Sequence, residues 1–480
     1  MPLMLIMFLL VCASLPAAPP LVGQSVPLDS VSQYLTRVMR HQKIPGLSVA
    51  IVRGDSILLA RGYGFANLEH GVPASDSTVY QSGSLGKQFT ATAVGMLAQQ
   101  GRLSLDERIT RWFPEGKGTW DSVSVRHLLT HTSGVPDYTD SMIDLRKDYT
   151  EEQLVRIAAS QRLDFPAGTS WSYSNTGYLL LGVIIHRVTG RFYGDVLQEL
   201  LFEPLGMRTR VISEADIVPN RAAGYRLVKG QLKNQEWVSP SLNTTADGAL
   251  YLTVNDLAKW AVALKQQRIP AGRVLDQAWT PVKLADGGTF PYGYGWDLSP
   301  QRSHRRIGHT GSWQGFKTAI YRYPDLDLSV AVLANLAEAT PGPIAQSIAG
   351  ILEPSVRPPE LFGSTIGGPS PPVAISALLH RIVIGNEAPR IVGGNEAGIA
   401  PGARRHLVPA ARRQLPDILK QTRSWTALGC ERPMGGHIRW LGADAVHVCY
   451  ARGVGPEGRT VATVYFTGEW QVAYFEVENY

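Results

Sequence analysis

Apolar residues recur at helical spacing between Ser30 and His41, at Val31, Leu35, Val38 and Met39, with Asp29 or Ser30 placed to cap the amino end. The pattern then changes. Two strand-like runs, Leu47–Val52 and Ser56–Gly62, flank Arg53-Gly54-Asp55, which reads as a hairpin turn. Helical stretches follow at Gln88–Gln100, closed by Gly101, at Thr150–Ser160, at Gly177–Val188, closed by Gly190, and at Val254–Leu264. Strand-like runs return at Phe316–Arg322 and Leu328–Ala334. Strands at both ends with helices between predict one α/β (α+β) unit over 24–353. Its antiparallel sheet is assembled from the two ends of the unit, with helices packed on it.

Beyond it, Pro354 to Pro372 is rich in Pro, Gly and Ser and reads as a linker over 354–373. Residues 374–480 predict a small α+β domain of unknown role. Its helices fall at Ala374–Val383 and Ala410–Lys420, and its strands at Trp425–Cys430, Ala445–Tyr450, Thr460–Phe466 and Gln471–Val477. The order is loosely analogous to small cone-shaped NTF2-like domains, at the level of fold alone. Between Arg381 and Gly398 a nine-residue stretch nearly repeats, a local duplication and not a solenoid.

Composition narrows the classes. The 480 residues are 44% hydrophobic and 18% charged, ordinary for a globular protein with a large core. A net charge of +6 is small for this length, and no Lys/Arg run is interleaved with aromatics, so no nucleic-acid partner is expected. Met1 to Val11 is nearly all apolar and is followed by small residues at Ala13, Ser14, Ala17 and Ala18. This predicts a signal peptide over 1–23 and an exported protein, periplasmic or extracellular. An uncleaved signal or a lipid on Cys12 are the routes by which the chain would instead be held at a membrane. Removing the signal leaves Cys430 and Cys449, an even pair that reads either as a disulfide or as two buried thiols.

Three short segments carry chemistry. Ser84-Leu85-Gly86-Lys87 opens a helical run, and residues three apart share a helix face, so the amine reaches the hydroxyl. A serine hydroxyl needs such a base, and a desolvated lysine can supply one. The plainer alternative is a helix cap followed by a surface lysine. Tyr173-Ser174-Asn175 lies in a polar turn before an apolar helix. The tyrosine can relay a proton if adjacent positive charge depresses its phenol below the usual value of about 10. The asparagine can hydrogen-bond a substrate amide; a helix cap with a packed tyrosine is the alternative. Gly308-His309-Thr310-Gly311-Ser312 allows close backbone approach of a ligand, and the N–H of Ser312, with that of Ser84, can form an oxyanion hole. A hairpin loop with a surface histidine is the alternative here.

Taken in order, these segments resemble the serine beta-lactamase and penicillin-binding-protein-like hydrolases, in the class C-type group with its esterases and D-aminopeptidases. The resemblance covers about 27–350. It rests on Gln81 to Thr90, His127-Leu-Leu-Thr-His-Thr-Ser-Gly134, Tyr173 to Tyr178, Asp247-Gly-Ala-Leu250 leading to Asp256-Leu-Ala258, Tyr292-Gly-Tyr-Gly-Trp296 and His309-Thr-Gly311. It implies a beta-lactamase/transpeptidase-like sheet flanked by helices, with an all-helical subdomain. It implies Ser84 as nucleophile, Lys87 and Tyr173 as its activators, and Ser312 as oxyanion donor. It implies Asn175, His309, Thr310 and Gly311 as substrate-binding residues. His309 stands where true beta-lactamases carry a lysine, which predicts weaker anion binding and moves weight to ester or peptide-like amide bonds. His127 and His131 read as packing or hydrogen-bonding residues, and no cofactor or metal is implied. The expected partner is a small-molecule or peptide-like substrate. A non-hydrolytic protein that binds penicillin or cell-wall peptide, or a sensor of them, is the alternative.

Overall fold

The computed structural model describes residues 26–357, apart from 140–141, 213–215, 270–271 and 303, and residues 422–479, apart from 423, 432–437, 441–442, 456–457 and 469–470. The expected signal segment, both helices of the C-terminal domain, the near-repeat and most of the linker lie outside the described residues.

Helix α1 (Leu28–Gln42) leads into β1 (Gly46–Arg53), β2 (Ser56–Asn67) and β3 (Val72–Pro73). After the helical region come β4 (Ile307–Trp313), β5 (Phe316–Tyr323) and β6 (Leu328–Ala334). They form one six-stranded sheet in the order β4-β5-β6-β1-β2-β3. The two ends of the unit join where β1 pairs antiparallel with β6, from Leu47 opposite Ala334 to Arg53 opposite Leu328. The expectation of a sheet built from both ends of the unit agrees with this topology.

The apolar run of β1, broken only by the buried Ser48 between Leu47 and Val52, reflects burial on both faces. Leu47, Val49 and Ile51 pack with Val31 and Leu35 of α1 and with Ile344 and Ile348, while Ala50 and Val52 face the larger core under the helices. The helix over Pro341–Leu352 has Pro at its first position, where no N–H is needed. Asn335, fully buried just after β6, ties the sheet to its loops. Its Oδ1 accepts from Gly46 N at 2.7 Å, and its Nδ2 donates to the carbonyls of Phe65 and Ala223 at 3.1 and 3.0 Å.

The helical region contains the predicted stretches with small changes of boundary. Helix α2 spans Lys87–Gln99, and α3 is a short turn over Val125–Leu129. Helix α4 (Glu151–Ala159) starts behind a Thr150–Gln153 capping box. Helix α5 (Asn175–Thr189) is capped by Ser174, whose hydroxyl accepts from Gly177 N, and α6 spans Val254–Lys265. The hairpin-loop alternative for Gly308 to Ser312 does not hold: these residues are the body of edge strand β4, paired with β5 from Ile307 opposite Arg322 to Trp313 opposite Phe316.

In the C-terminal region, β7 (Ser424–Glu431), β8 (Ile438–Trp440), β9 (Ala443–Gly455), β10 (Gly458–Thr467) and β11 (Val472–Asn479) form a second antiparallel sheet. Cys430 and Cys449, opposite each other on β7 and β9, are disulfide-bonded. Glu431 beside this bond takes a bidentate contact from Arg302 of the main unit, at 2.9 and 2.8 Å, and accepts from Tyr450 Oη at 2.6 Å.

Candidate active site

Ser84 lies in a single tight turn, Gly83–Gly86, immediately before α2. The turn is wedged against β4. Gly83 has φ of +52°, and a Cβ there would stand 2.4 Å from Ser312 N. A Cβ on Gly311 would stand 2.0 Å from the carbonyl oxygen of Ser82. Glycine at both places is what lets the backbone of Ser312 approach the Ser84 turn.

Lys87 opens α2 and is completely buried. Its Nζ lies 3.0 Å from Ser84 Oγ, 2.7 Å from Asn175 Oδ1 and 2.5 Å from the backbone oxygen of Asp247. It also lies over the rings of Tyr173 and Tyr178, at 4.9 and 5.4 Å from their centroids. Burial pulls the ammonium down to about 8, with the carboxylates of Asp247 and Asp137 opposing. A neutral amine has two N–H groups and one lone pair. With Asn175 and Asp247 taking the two protons, the lone pair faces the Ser84 hydroxyl.

Tyr173 stands beside this pair, its ring 4.2 Å from that of His131. Burial pushes its phenol well above the usual range, opposed by the Ser84 hydroxyl nearby. This corrects the expectation of a phenol depressed by positive charge: desolvation outweighs the neighbouring amine. Tyr173 is held as a protonated hydroxyl, able to accept one proton while passing on another, and not as a phenolate.

Asn175, expected to contact substrate, has both ends of its amide engaged within the protein. Oδ1 accepts from Lys87, and Nδ2 donates to Asp137 Oδ2 at 2.9 Å. Asp137, Tyr138 and the Asp247 carbonyl were not singled out as site residues from sequence. Asp247 opens the Asp247-Gly-Ala-Leu250 segment, and Asp137 follows Thr132-Ser133-Gly134 by three residues, but nothing local marks either as a partner of Lys87.

His309 is buried on β4 with its ring facing Tyr173 and Tyr292, at centroid distances of 6.2 and 5.7 Å. Burial first, and the charge of Lys87 second, push its imidazole down to about 4. Its Nε2 is 2.8 Å from Tyr292 Oη, and its Nδ1 is 2.5 Å from the Thr310 carbonyl. The carbonyl only accepts, so Nδ1 carries the proton and Nε2 accepts from the tyrosine. Thr310 is placed differently from the other expected substrate-binding residues. Its methyl lies toward Gly342, 3.3 Å from where a Cβ there would sit, away from the Ser84 turn.

His127 and His131 act locally. His127 forms a reciprocal cap with Ser124 at the start of α3. His131 accepts from Ser174 N at 3.1 Å, holding the turn that presents Tyr173. A cleft lined by Gly83, Ser84, Asn175, Asp247, Ser312 and Trp313 opens over the nucleophile.

Comparison with known proteins shows the family and the fold. The sequence model of the family described as Beta-lactamase matches residues 31–350. Penicillin-binding protein 4* of Bacillus subtilis (strain 168) is 30% identical over 312 residues, covering 61% of this chain and 68% of that protein. A D-aminopeptidase of Gluconobacter oxydans (strain 621H) is 26% identical over 339 residues, 67% of this chain and 62% of that protein. The chain thus spans about two thirds of these relatives' length. The octameric penicillin-binding protein homologue from Pyrococcus abyssi superposes with a TM-score of 0.62 over 94% of this chain and 98% of that one. At 23% identity, that likeness is one of fold.

Proposed function

The chain belongs to the beta-lactamase family, and from that premise we propose that it is a serine hydrolase acting on ester or peptide-like amide bonds through a Ser84 acyl-enzyme. The observation that carries the reading is the buried Lys87 amine, 3.0 Å from the Ser84 hydroxyl and drawn down to about 8. In this mechanism neutral Lys87 takes the Ser84 proton as Oγ bonds to the acyl carbon. The N–H groups of Ser84 and Ser312 hold the oxyanion. As the bond to the leaving group breaks, Tyr173 hands it a proton and is resupplied by Lys87. Water, deprotonated along the same route, then attacks the acyl carbon. The acid departs, and the proton returns to Ser84.

Charge supports one substrate class over another. By the resemblance, His309 stands where beta-lactamases carry a lysine; it is a buried imidazole drawn down to about 4 and neutral at physiological pH. It offers no full positive charge to a substrate carboxylate. Esters and amides without a carboxylate, including amides of D-amino acids as the name of the Gluconobacter relative suggests, are favoured over carboxylate-bearing beta-lactams. The Cys430–Cys449 disulfide supports export, since such bonds are rare in reducing compartments.

The test is a panel of p-nitrophenyl esters, D-amino-acid amides and nitrocefin, with wild type and Ser84→Ala, alongside fluorophosphonate labelling read by intact mass. Turnover of esters or amides that vanishes in Ser84→Ala is expected. A folded wild type that neither labels nor turns over any of the panel overturns the reading.

A further inference from the structure

We infer that Asp137 and Tyr138 are positioning residues: this dipeptide aims both hydrogen-bond acceptors of the Lys87 amine and so directs its lone pair at Ser84. The inference rests on the reading of Lys87 as general base. Asp137 Oδ2 accepts from the backbone N–H of Asn175 at 3.0 Å and from its side-chain Nδ2 at 2.9 Å. A carboxylate has no proton to give, so the amide must turn its NH2 toward Asp137, and Oδ1 is left for Lys87. The other carboxylate oxygen, Oδ1, is held by the N–H and hydroxyl of Thr139 at 3.0 and 2.9 Å.

The next residue does the same for the second acceptor. Tyr138 is buried, and its Oη donates to Asp247 Oδ2 at 2.8 Å. The backbone oxygen of that same Asp247 faces Lys87 Nζ. The dipeptide is itself clipped to the first turn of α5. Thr176 Oγ1 donates to the Pro136 carbonyl at 2.7 Å and accepts from Tyr138 N at 2.8 Å. Four consecutive residues, 136 to 139, thus lock the two groups that take the amine's protons. Without them the Asn175 amide is free to rotate and present NH2 to Lys87, an arrangement in which the amine has no acceptor on that side.

The groups around Lys87 also set the sign of a pH test. The Tyr173 and Tyr178 rings and the imidazoles of His131 and His309 face the amine. Of the charged groups, Asp247 and Asp137 favour its protonated form, against burial. Removing the Asp137 charge therefore moves the acid limb of activity to lower pH.

The experiment uses the full chain and reads the rate of Ser84 labelling by a fluorophosphonate, together with kcat/KM on a p-nitrophenyl ester from pH 6 to 10. Asp137→Ala is expected to slow both by roughly tenfold to a hundredfold, the scale of a misplaced catalytic group. In an Asn175→Ala background the same change is expected to cost less than about threefold, because no amide remains to be oriented. Asp137→Asn, similar in shape, is expected to slow both less while shifting the acid limb downward, and it carries the same cycle should Asp137→Ala fail to fold. Tyr138→Phe is expected to slow labelling with the acid limb nearly in place. Equal losses in both backgrounds, or an Asp137→Ala rate and pH profile like wild type, overturn the inference. If Lys87→Ala is itself as fast as wild type, the base assignment falls instead.

Discussion

The Lys87 amine meets the Ser84 hydroxyl at 3.0 Å in a place where the lysine has no contact with solvent. Drawn down to about 8, it is mostly protonated at neutral pH and becomes a base as pH rises. The acid limb of kcat/KM should therefore lie near pH 8, with activity falling about tenfold per unit below it. Lys87→Ala should lower turnover by roughly a hundredfold or more and erase that limb. A pH–rate profile of both proteins decides this; a mutant that keeps the limb would assign it to another group.

The same burial has a cost in stability. Unfolded Lys87 titrates near 10.5, folded Lys87 near 8, so between these values the unfolded chain binds more protons. Stability should rise with pH across that window by roughly 3 kcal/mol. Below it both states are charged, and the full penalty of a buried ammonium remains. Lys87→Met should be more stable than wild type at pH 7 and lose that advantage by pH 10.5. Urea unfolding at several pH values measures it, and parallel curves would contradict the assignment.

Tyr173 keeps its proton throughout this range, because burial pushes its phenol up. Tyr173→Phe should cost roughly a hundredfold in turnover while leaving the acid limb where Lys87 puts it. Wild-type activity should level off above pH 9 without a phenolate limb before pH 10. Steady-state kinetics on one ester checks both points.

Asn335 is a structural counterpart, hydrogen-bonded to the backbone of Gly46, Phe65 and Ala223. Asn335→Ala would leave Gly46 N and the Phe65 and Ala223 carbonyls without their buried partner. A loss of about 3 kcal/mol is expected, the scale of orphaned buried groups, with kcat of the remaining folded protein little changed. Denaturant titration reads it; a change below about 0.5 kcal/mol would mean that water replaces the amide.

What could be read from sequence was local. The β1 run was visible because Leu47 to Val52 is apolar except for Ser48, and α5 because of its apolar content and the Gly190 that closes it. Ser84 and Lys87 were visible because three residues suffice to place them together. The helix over Pro341–Leu352 was hidden by its own Pro and Gly residues, though Ile344 and Ile348 carry its buried stripe. β8, three residues long, is too short to show alternation. The grip of Asp137 on Asn175 spans 38 residues of chain, and that of Lys87 on Asp247 spans 160. No local pattern encodes contacts that only the tertiary fold creates. The protonation of Tyr173 and His309 was likewise illegible in detail, since it depends on how completely neighbouring rings exclude water.

Pairing Leu47 with Ala334 also dictates when this protein can become itself. While the chain is being synthesised, the outer edge of β1 stays bare until almost the whole unit has emerged. Such distant contacts make for slow maturation and a long interval in which that edge can recruit a wrong strand. A chain truncated ahead of Leu328 would carry Ser84, Lys87 and Tyr173 in full and yet have no framework on which to bring them together.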